Sequence, residues 1–453
     1  MKAPWSQQEW QRALVYGLGM SGLAAVRLLR SRGVEVVGVD RRAAGKLDLG
    51  ELTADTGVEL LLGREPTALP AGLDGVVVSP GVPADRPLLA AARGAGIPVI
   101  AEVELGYAFV NGPVIGITGS NGKSTTTALV GALLAASGFA VEVCGNIGRP
   151  LSACAEGEAG RIFVTELSSF QLEAIDGFHP RAAALLNVSA DHLDRHADLD
   201  SYIAAKKRLF DNQGEEDIAV INADDPLVAE VAVRSRRRFF SRLRAVGDGC
   251  FLDGDRVVEV TPGRPVSELF RPRDLSLPGT HNLENAMAAV LLARAFDADP
   301  AMIAPTLSTF SGLPHRLELV RELGDVLWYD DSKGTNVGAT LKSLEGFADG
   351  SVHLILGGRD KGSDFAALAP VVERKAVRAY LIGEAAERVG VALADRVDCE
   401  RADDLATAVT SAAARVGAGE VVLLSPACAS FDQYLDFHAR GDHFQELVRA
   451  LDG

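Results

Sequence analysis

Lys123 stands in the run G116-I-T-G-S-N-G-K-S-T125, where glycines, small hydroxyls and one lysine follow an apolar stretch and precede a helical pattern. A Gly-rich turn between a strand and a helix aims backbone N–H groups and the helix N-terminus at anionic oxygens, so it cradles phosphates. In such a loop Gly119, Ser120, Asn121, Gly122 and Thr125 would line a nucleoside triphosphate, Lys123 would reach its β- and γ-phosphates, and Ser124 would hold Mg2+. The spacing departs from the strict G-x-x-x-x-G-K-[ST], because Ile117 occupies the place of the first glycine and Gly119 stands three before Gly122.

Five further clusters carry groups of the same kind. Glu166 opens E166-L-S-S-F-Q-L172 after an apolar run, which sets a carboxylate at the carboxyl end of a strand, where it can ligate Mg2+. N187-V-S-A-D-H-L-D-R-H196 offers His192 with Asp191 and Asp194, and D330-D-S-K-G-T-N336 puts carboxylates, hydroxyls and a lysine on one loop. G357-G-R-D-K-G-S-D364 and S425-P-A-C-A-S-F431 end two further strands. Taken singly, a helix cap, a surface carboxylate or a satisfied histidine accounts for each. Taken together they are polar strand ends of the kind that bind ligands in open α/β sheets, as in a site built between domains. A second glycine turn, G17-L-G-M-S-G22, with Asp40 closing the next strand, has the pattern of a dinucleotide-binding fingerprint. An NAD-dependent oxidoreductase is therefore a rival reading, although it leaves the second phosphate loop without a task.

Parallel sheets are needed to bring such loops together. A13-L-V-Y-G17, V34-E-V-V-G-V-D40 and V76-V-V-S79 read as strands, with a helix from Gly22 to Gly33, and this segment closes near Gly112. V114-I-G-I-T118, I162-F-V-T165, A182-A-A-L-L-N187 and I218-A-V-I-N222 continue the pattern around a helix from Ser124 to Ala136, while residues 240–280 carry only short β-like runs. After S311-G-L-P-H-R316, V326-L-W-Y329, V352-H-L-I-L356, A379-Y-L-I382 and V421-V-L-L424 alternate with helical stretches. The expected fold is α/β in three domains: a Rossmann-like N-terminal domain (1–108), a central P-loop ATPase-type α/β domain (109–312) and a Rossmann-like C-terminal domain (313–453).

Bulk composition narrows the function. With 453 residues, 47% hydrophobic and 23% charged, the chain is that of a globular enzyme of several domains. A net charge of -16 opposes nucleic-acid binding, and the one basic cluster, R234-S-R-R-R238, lacks interleaved aromatics and is expected to be a solvated loop or helix face. The start has no apolar signal region and no stretch of about 18 apolar residues follows, so no membrane insertion and a cytoplasmic location are expected. Five scattered cysteines suggest neither a disulfide framework nor zinc. Only nine lysines occur, which makes those inside motifs more informative.

In order and almost end to end, the chain resembles the Mur ligases of peptidoglycan synthesis. The resemblance is carried by G17-L-G-M-S-G22, G116-I-T-G-S-N-G-K-S124, G145-N-I-G148, E166-L-S-S-F-Q-L172, D191-H-L-D-R195, Y202-I-A-A-K206, H281-N-L-E-N285, G312-L-P-H-R316, D331-S-K-G-T-N336 and S425-P-A-C-A-S430. Three of these, E166-L-S-S-F-Q-L172, D331-S-K-G-T-N336 and S425-P-A-C-A-S-F431, are similar to the D-glutamate-adding branch. The phosphate loop itself is shared with folylpolyglutamate synthases, a second alternative, which would bind a pterin and should lack a UDP-binding first domain. The resemblance implies that ATP phosphorylates the carboxylate of UDP-N-acetylmuramoyl-L-alanine and that the amine of D-glutamate displaces phosphate. It implies two Mg2+ ions, one on Ser124 and Glu166, the other among Glu166, His192 and a carbamylated Lys206, with Lys123, Glu166, His192 and Lys206 catalytic. Asn282, Arg316 and Asp331 would hold the rest of ATP. Lys333, near the reacting carboxylate, would join Thr335, Lys361, Ser430, Phe431 and Phe437 around D-glutamate. The UDP substrate would lie against Met20, Ser21, Asp40, Arg41, Arg42, Ser79, Gly81, Ser169 and His192, with Asn146 at its sugar. Arg41 stands where the family places a small hydroxyl. A monomer acting on these small molecules alone is expected.

Overall fold

Runs of aliphatic residues buried on both faces make parallel strands, and here they build three separate sheets. The computed structural model describes residues 9–47, 49–155, 157, 159–189, 196, 198–277, 279–360 and 362–451. The chain divides into two compact units, residues 1–274 with 284–308 and residues 275–283 with 309–453.

The first unit opens with β1 (Arg12–Tyr16), α1 (Met20–Ser31), β2 (Glu35–Asp40), β3 (Val58–Leu62), β4 (Gly75–Val78), α2 (Pro87–Gly94), β5 (Val99–Ala101) and α3 (Glu102–Phe109). Its five strands are parallel in the order β3-β2-β1-β4-β5, so the loops after β1 and β4 diverge and leave a crevice at their carboxyl ends. Gly22 is required there, since a Cβ would lie 1.8 Å from the Gly17 carbonyl oxygen and push α1 off the turn.

The same unit continues through β6 (Val114–Thr118), α4 (Lys123–Ala136), β7 (Val141–Gly145), β8 (Ile162–Glu166), α5 (Ser169–Leu172), β9 (Ala182–Leu185), α6 (Leu199–Lys207), β10 (Ile218–Asn222), α7 (Pro226–Ala229), β11 (Arg236–Ser241), β12 (Gly249–Asp253), β13 (Arg256–Val260), β14 (Ser267–Phe270) and α8 (Thr280–Arg294). These nine strands run in the order β14-β13-β12-β11-β10-β9-β6-β8-β7, parallel except for the hairpin pairs β12–β13 and β13–β14. R234-S-R-R-R238 leads into β11 and is not the solvated loop or helix face expected of it. Arg238 is buried because Asp248 (3.2 Å) and Glu259 (2.7 Å) pair its guanidinium, and Asp248 also pairs Arg236 (2.7 Å), so the sheet cancels the charge locally.

After α9 (Ile303–Thr309) the second unit holds β15 (Glu318–Leu323), β16 (Val326–Asp330), α10 (Val337–Glu345), β17 (Val352–Gly357), α11 (Ala369–Lys375), β18 (Ala376–Ile382), α12 (Ala386–Leu393), β19 (Asp398–Asp403), α13 (Leu405–Ala413), β20 (Val421–Leu424) and α14 (Phe437–Arg449). The order is β15-β16-β20-β17-β18-β19, with β15 antiparallel and the rest parallel. Three α/β sheets, each with its own core, are the architecture expected from the sequence.

Candidate active site

β6 is buried throughout and delivers the phosphate loop to the N-terminus of α4. Gly122, the cap residue, has φ +82°, and a Cβ on it would sit 2.1 Å from Asn285 Oδ1, so both conformation and space demand glycine. Asn187, at the end of the neighbouring β9 run, clamps the loop: its Oδ1 accepts from Asn121 N (2.8 Å) and its Nδ2 donates to Asn121 O (3.0 Å). Lys123 Nζ donates to the Gly119 and Ser120 carbonyls, 2.9 Å each. Ser120, Ser124 and Thr125 are buried beside it.

Parallel pairing puts Glu166 opposite Ile117, directly beside that loop. Its Oε1 accepts from Asn146 Nδ2 at 2.8 Å. Its Oε2 is buried and has no hydrogen-bond partner among the described residues, an open hard-oxygen ligand. Gly145 (φ +101°) makes the approach of Asn146 possible, since a Cβ would fall 2.3 Å from the Glu166 carbonyl. From α6, Lys206 reaches the same place fully buried: its Nζ donates to the Gly119 carbonyl at 2.8 Å and lies 4.4 Å from the Tyr202 ring centre. The sequence-predicted Lys123, Glu166 and Lys206 thus converge on one turn. His192, with Asp191 and Asp194, lies outside the described residues, as does Lys361.

At the crevice of the first sheet, Ser79 is buried and donates to the Gly17 carbonyl (2.6 Å), while Met20, Arg41 and Gly81 are exposed. Burial alone would raise the Asp40 carboxyl. Two backbone N–H groups, of Leu18 (2.7 Å) and Arg42 (2.8 Å), and the Arg42 guanidinium hold it below the usual carboxylate range instead. Ser21 is half-buried on α1.

In the second unit Asp331 follows β16 and is buried, which pushes its carboxyl up to about 6, against two serine hydroxyls that favour the charged form, Ser343 and Ser425 at 2.7 Å each. Lys333 Nζ stacks 3.9 Å over Phe437. Thr335 N donates to Lys333 O (2.7 Å), Ser430 is buried, Phe431 is exposed, and Asn282 is buried at the start of α8. Arg316, with Lys342, helps keep the buried His281 neutral, its pKa lowered to about 4 chiefly by burial.

Three side chains that brace these loops were given no role from the sequence, although one of them, His315, lies within G312-L-P-H-R316. His315 takes φ +59° and meets Asp330 through Nδ1 at 2.7 Å, while Gln445 Nε2 donates to Asp330 and Glu318 at 3.0 Å each. Lys333 N donates to the His315 carbonyl (3.0 Å), so this buried network fixes the backbone of both the 312–316 and 331–336 loops. Arg440, 1% exposed, fastens Ser332 (Nε to Oγ 2.9 Å, Nη2 to O 2.8 Å) to the Cys428 carbonyl (3.2 Å). Gly441 leaves room for the His315 ring, since a Cβ there would strike it at 2.1 Å.

Comparison with known proteins decides what this arrangement belongs to. Three family models match in succession: "Mur ligase MurD-like, N-terminal domain" over residues 11–101, "Mur ligase middle domain" over 117–293 and "Mur ligase, glutamate ligase domain" over 315–428. The chain belongs to the Mur ligase family. Mur ligase relatives named UDP-N-acetylmuramoylalanine–D-glutamate ligase are 44% identical in Geotalea uraniireducens (98% of this chain, 98% of the relative) and 42% identical in Syntrophus aciditrophicus (97% and 98%). Among solved structures, UDP-N-acetylmuramate-alanine ligase MurC of Thermotoga maritima aligns with TM-score 0.61 at 18% identity, covering 98% of this chain and 100% of that one. MurF ligase of the same organism, in complex with ADP, aligns with TM-score 0.59 at 16% identity over 98% and 97%. These structures share the Mur ligase fold. No helix among the described residues is long and apolar enough to cross a membrane.

Proposed function

We propose that this Mur ligase joins D-glutamate to UDP-N-acetylmuramoyl-L-alanine at the expense of ATP, through an acyl phosphate, giving the amide, ADP and phosphate. The observation that carries the reading is the convergence of Lys123, Glu166 and Lys206 on the phosphate loop, in a chain whose full-length relatives bear the name of that ligase.

Lys123 supplies positive charge to the migrating phosphoryl group, and the N-terminus of α4 adds its backbone N–H donors. The residues fit Mg2+ in two respects. Glu166 keeps a buried oxygen open, and Lys206 is buried with its Nζ on the same Gly119 carbonyl as Lys123, so two amines share one turn. Two ammonium nitrogens bonded to one carbonyl are no more than ~6 Å apart, where like charges repel by about 3 kcal/mol at an effective dielectric of about 20. A carbamate on Lys206 removes that repulsion and presents hard oxygens. Bound there, two Mg2+ ions would neutralise the phosphate oxygens and the developing charge of the displacement. Glu166 with Ser124, and Glu166 with His192 and the Lys206 carbamate, are the ligand sets we assign.

In this reading Gly119, Ser120, Asn121, Gly122 and Thr125 line the triphosphate, and Asn282, Arg316 and Asp331 serve the rest of ATP. Lys333, Thr335, Lys361, Ser430, Phe431 and Phe437 serve D-glutamate. Met20, Ser21, Asp40, Arg41, Arg42, Ser79, Gly81, Asn146 and Ser169 serve the UDP substrate. The enzyme acts in the cytoplasm as a monomer. Phosphate release by purified protein tests the whole: it should require ATP, UDP-N-acetylmuramoyl-L-alanine and D-glutamate together, with L-glutamate, D-aspartate and L-alanine inactive. NADH formation without ATP use, or turnover with folate and L-glutamate alone, overturns it.

A further inference from the structure

His196 follows D191-H-L-D-R195, and the reaction as assigned makes no use of it. Its imidazole is 3% exposed and is held on every side that the structure describes. Nε2 lies 2.9 Å from the Ser169 hydroxyl and Nδ1 3.4 Å from a Glu173 carboxylate oxygen, so both nitrogens meet the short helix α5 and the residue that ends it. One ring face stacks on Phe170 of α5 (centroids 5.5 Å, planes 10° apart), and the ring tilts against Tyr202 of α6 (5.1 Å).

A carboxylate only accepts, so an N–H on Nδ1 is favoured on the Glu173 side, with Nε2 facing the Ser169 hydroxyl. Both contacts then hold one ring orientation, and the fixed ring becomes a wall for Tyr202. Tyr202 in turn does two things: its hydroxyl lies 3.2 Å from Ser120 Oγ in the phosphate loop, and its ring lies under Lys206 Nζ. On the other side, α5 begins three residues after Glu166.

We infer that His196 is a positioning residue that rivets α5 to α6 and thereby sets the distance between Glu166 and Lys206, two of the side chains assigned to Mg2+. The inference rests on those assignments. Where Tyr202 holds it, the neutral Lys206 amine adds to the carbon of carbon dioxide and gives up one proton to solvent, leaving the carbamate on the phosphate-loop side of α6. Loss of the ring would let Tyr202 tilt into the space, carrying the Lys206 amine and Ser120 with it, and would release the Ser169 hydroxyl assigned to the UDP substrate, while the loops of the second unit are untouched.

The test compares wild type, H196A, H196F and E173Q as full-length enzymes. Carbamate on Lys206 is read by its 13C resonance after equilibration with labelled bicarbonate, and Mg2+ dependence and the three substrate KM values are read by phosphate release. H196A should lose most of the carbamate signal and need about tenfold more Mg2+, the effect of one misplaced ligand contact, with KM for D-glutamate within about twofold. H196F keeps both ring faces and should restore the signal in large part. E173Q, on a part-exposed side chain that leaves packing intact, should shift Mg2+ dependence in the same direction by about two- to threefold, because only the tautomer is freed. A full carbamate signal with unchanged Mg2+ dependence in H196A, or H196F no better than H196A, overturns the inference, and so does an unchanged E173Q should H196A fail to fold. Absence of the signal from wild type itself sinks the Lys206 assignment and the inference built on it.

Discussion

At the scale of single residues the phosphate loop is governed by charge. Lys123 bonds two carbonyls of its own loop, so its ammonium is held where phosphate oxygens belong and little reorganisation separates it from the transition state. Lys123→Ala should therefore lower kcat by about 10²- to 10³-fold, the usual cost of one preorganised electrostatic contact, and circular dichroism should show the fold intact. An equal activity in the alanine variant would remove Lys123 from the chemistry. His315 makes a second residue-scale prediction. Its hydrogen bond to Asp330 raises its pKa against a smaller effect of burial, which lowers it. Raised above the unfolded value of about 6.5, the group contributes stability fully below that pH and loses it as pH climbs through the folded value. The difference in urea midpoint between wild type and His315→Gln should be largest near pH 6 and shrink toward about pH 9. A difference that grows with pH would contradict the assigned partner.

Among the elements, Glu104 shows how a charged side chain can decide packing. From α3 of the first sheet its carboxylate accepts three successive backbone N–H groups, of Asp176, Gly177 and Phe178, each at 2.9 Å, and it is almost fully buried. Glu104→Ala leaves these donors behind. At about 1–3 kcal/mol for each unsatisfied buried group, the loss should be at least about 3 kcal/mol in urea unfolding, while Glu104→Gln, which keeps acceptor capacity at one oxygen, should lose less. Equal stability of the alanine variant would mean that water satisfies the segment. The legibility of elements follows the same division between apolar pattern and charge. Ile218–Asn222 and Val421–Leu424 coincide with continuous apolar runs, because strands buried on both faces have no polar residue to hide them. β11 was hidden behind four arginines, since its acceptance into the sheet depends on Asp248 and on Glu259, two strands away. β12 to β14 were equally faint, being short hairpin strands in which apolar and charged residues are mixed. In the candidate site, the loops were legible as motifs at strand ends. Their braces were not, because Arg440 and Gln445 act on residues more than a hundred positions earlier, a distance over which no local spacing carries information.

For the whole molecule the division into two compact units carries the remaining consequence. The first unit, residues 1–274 with 284–308, contains both the crevice sheet and the phosphate-loop sheet, and the second has a core of its own around β17, β18 and β20. Units with separate cores tend to unfold as separate cooperative transitions. The side chains assigned to UDP-N-acetylmuramoyl-L-alanine, from Met20 to Ser169, all belong to the first unit, whereas those assigned to ATP and to D-glutamate include residues of the second. The UDP substrate alone, at 100 times its Kd, should therefore stabilise one calorimetric transition by about 2.7 kcal/mol and leave the other in place. Adding a non-hydrolysable ATP analogue should then move the second transition as well, through Asn282, Arg316 and Asp331. A single transition that shifts as a whole with the UDP substrate would show instead that the two units unfold together, and that binding in the first is felt throughout the chain before any nucleotide triphosphate arrives.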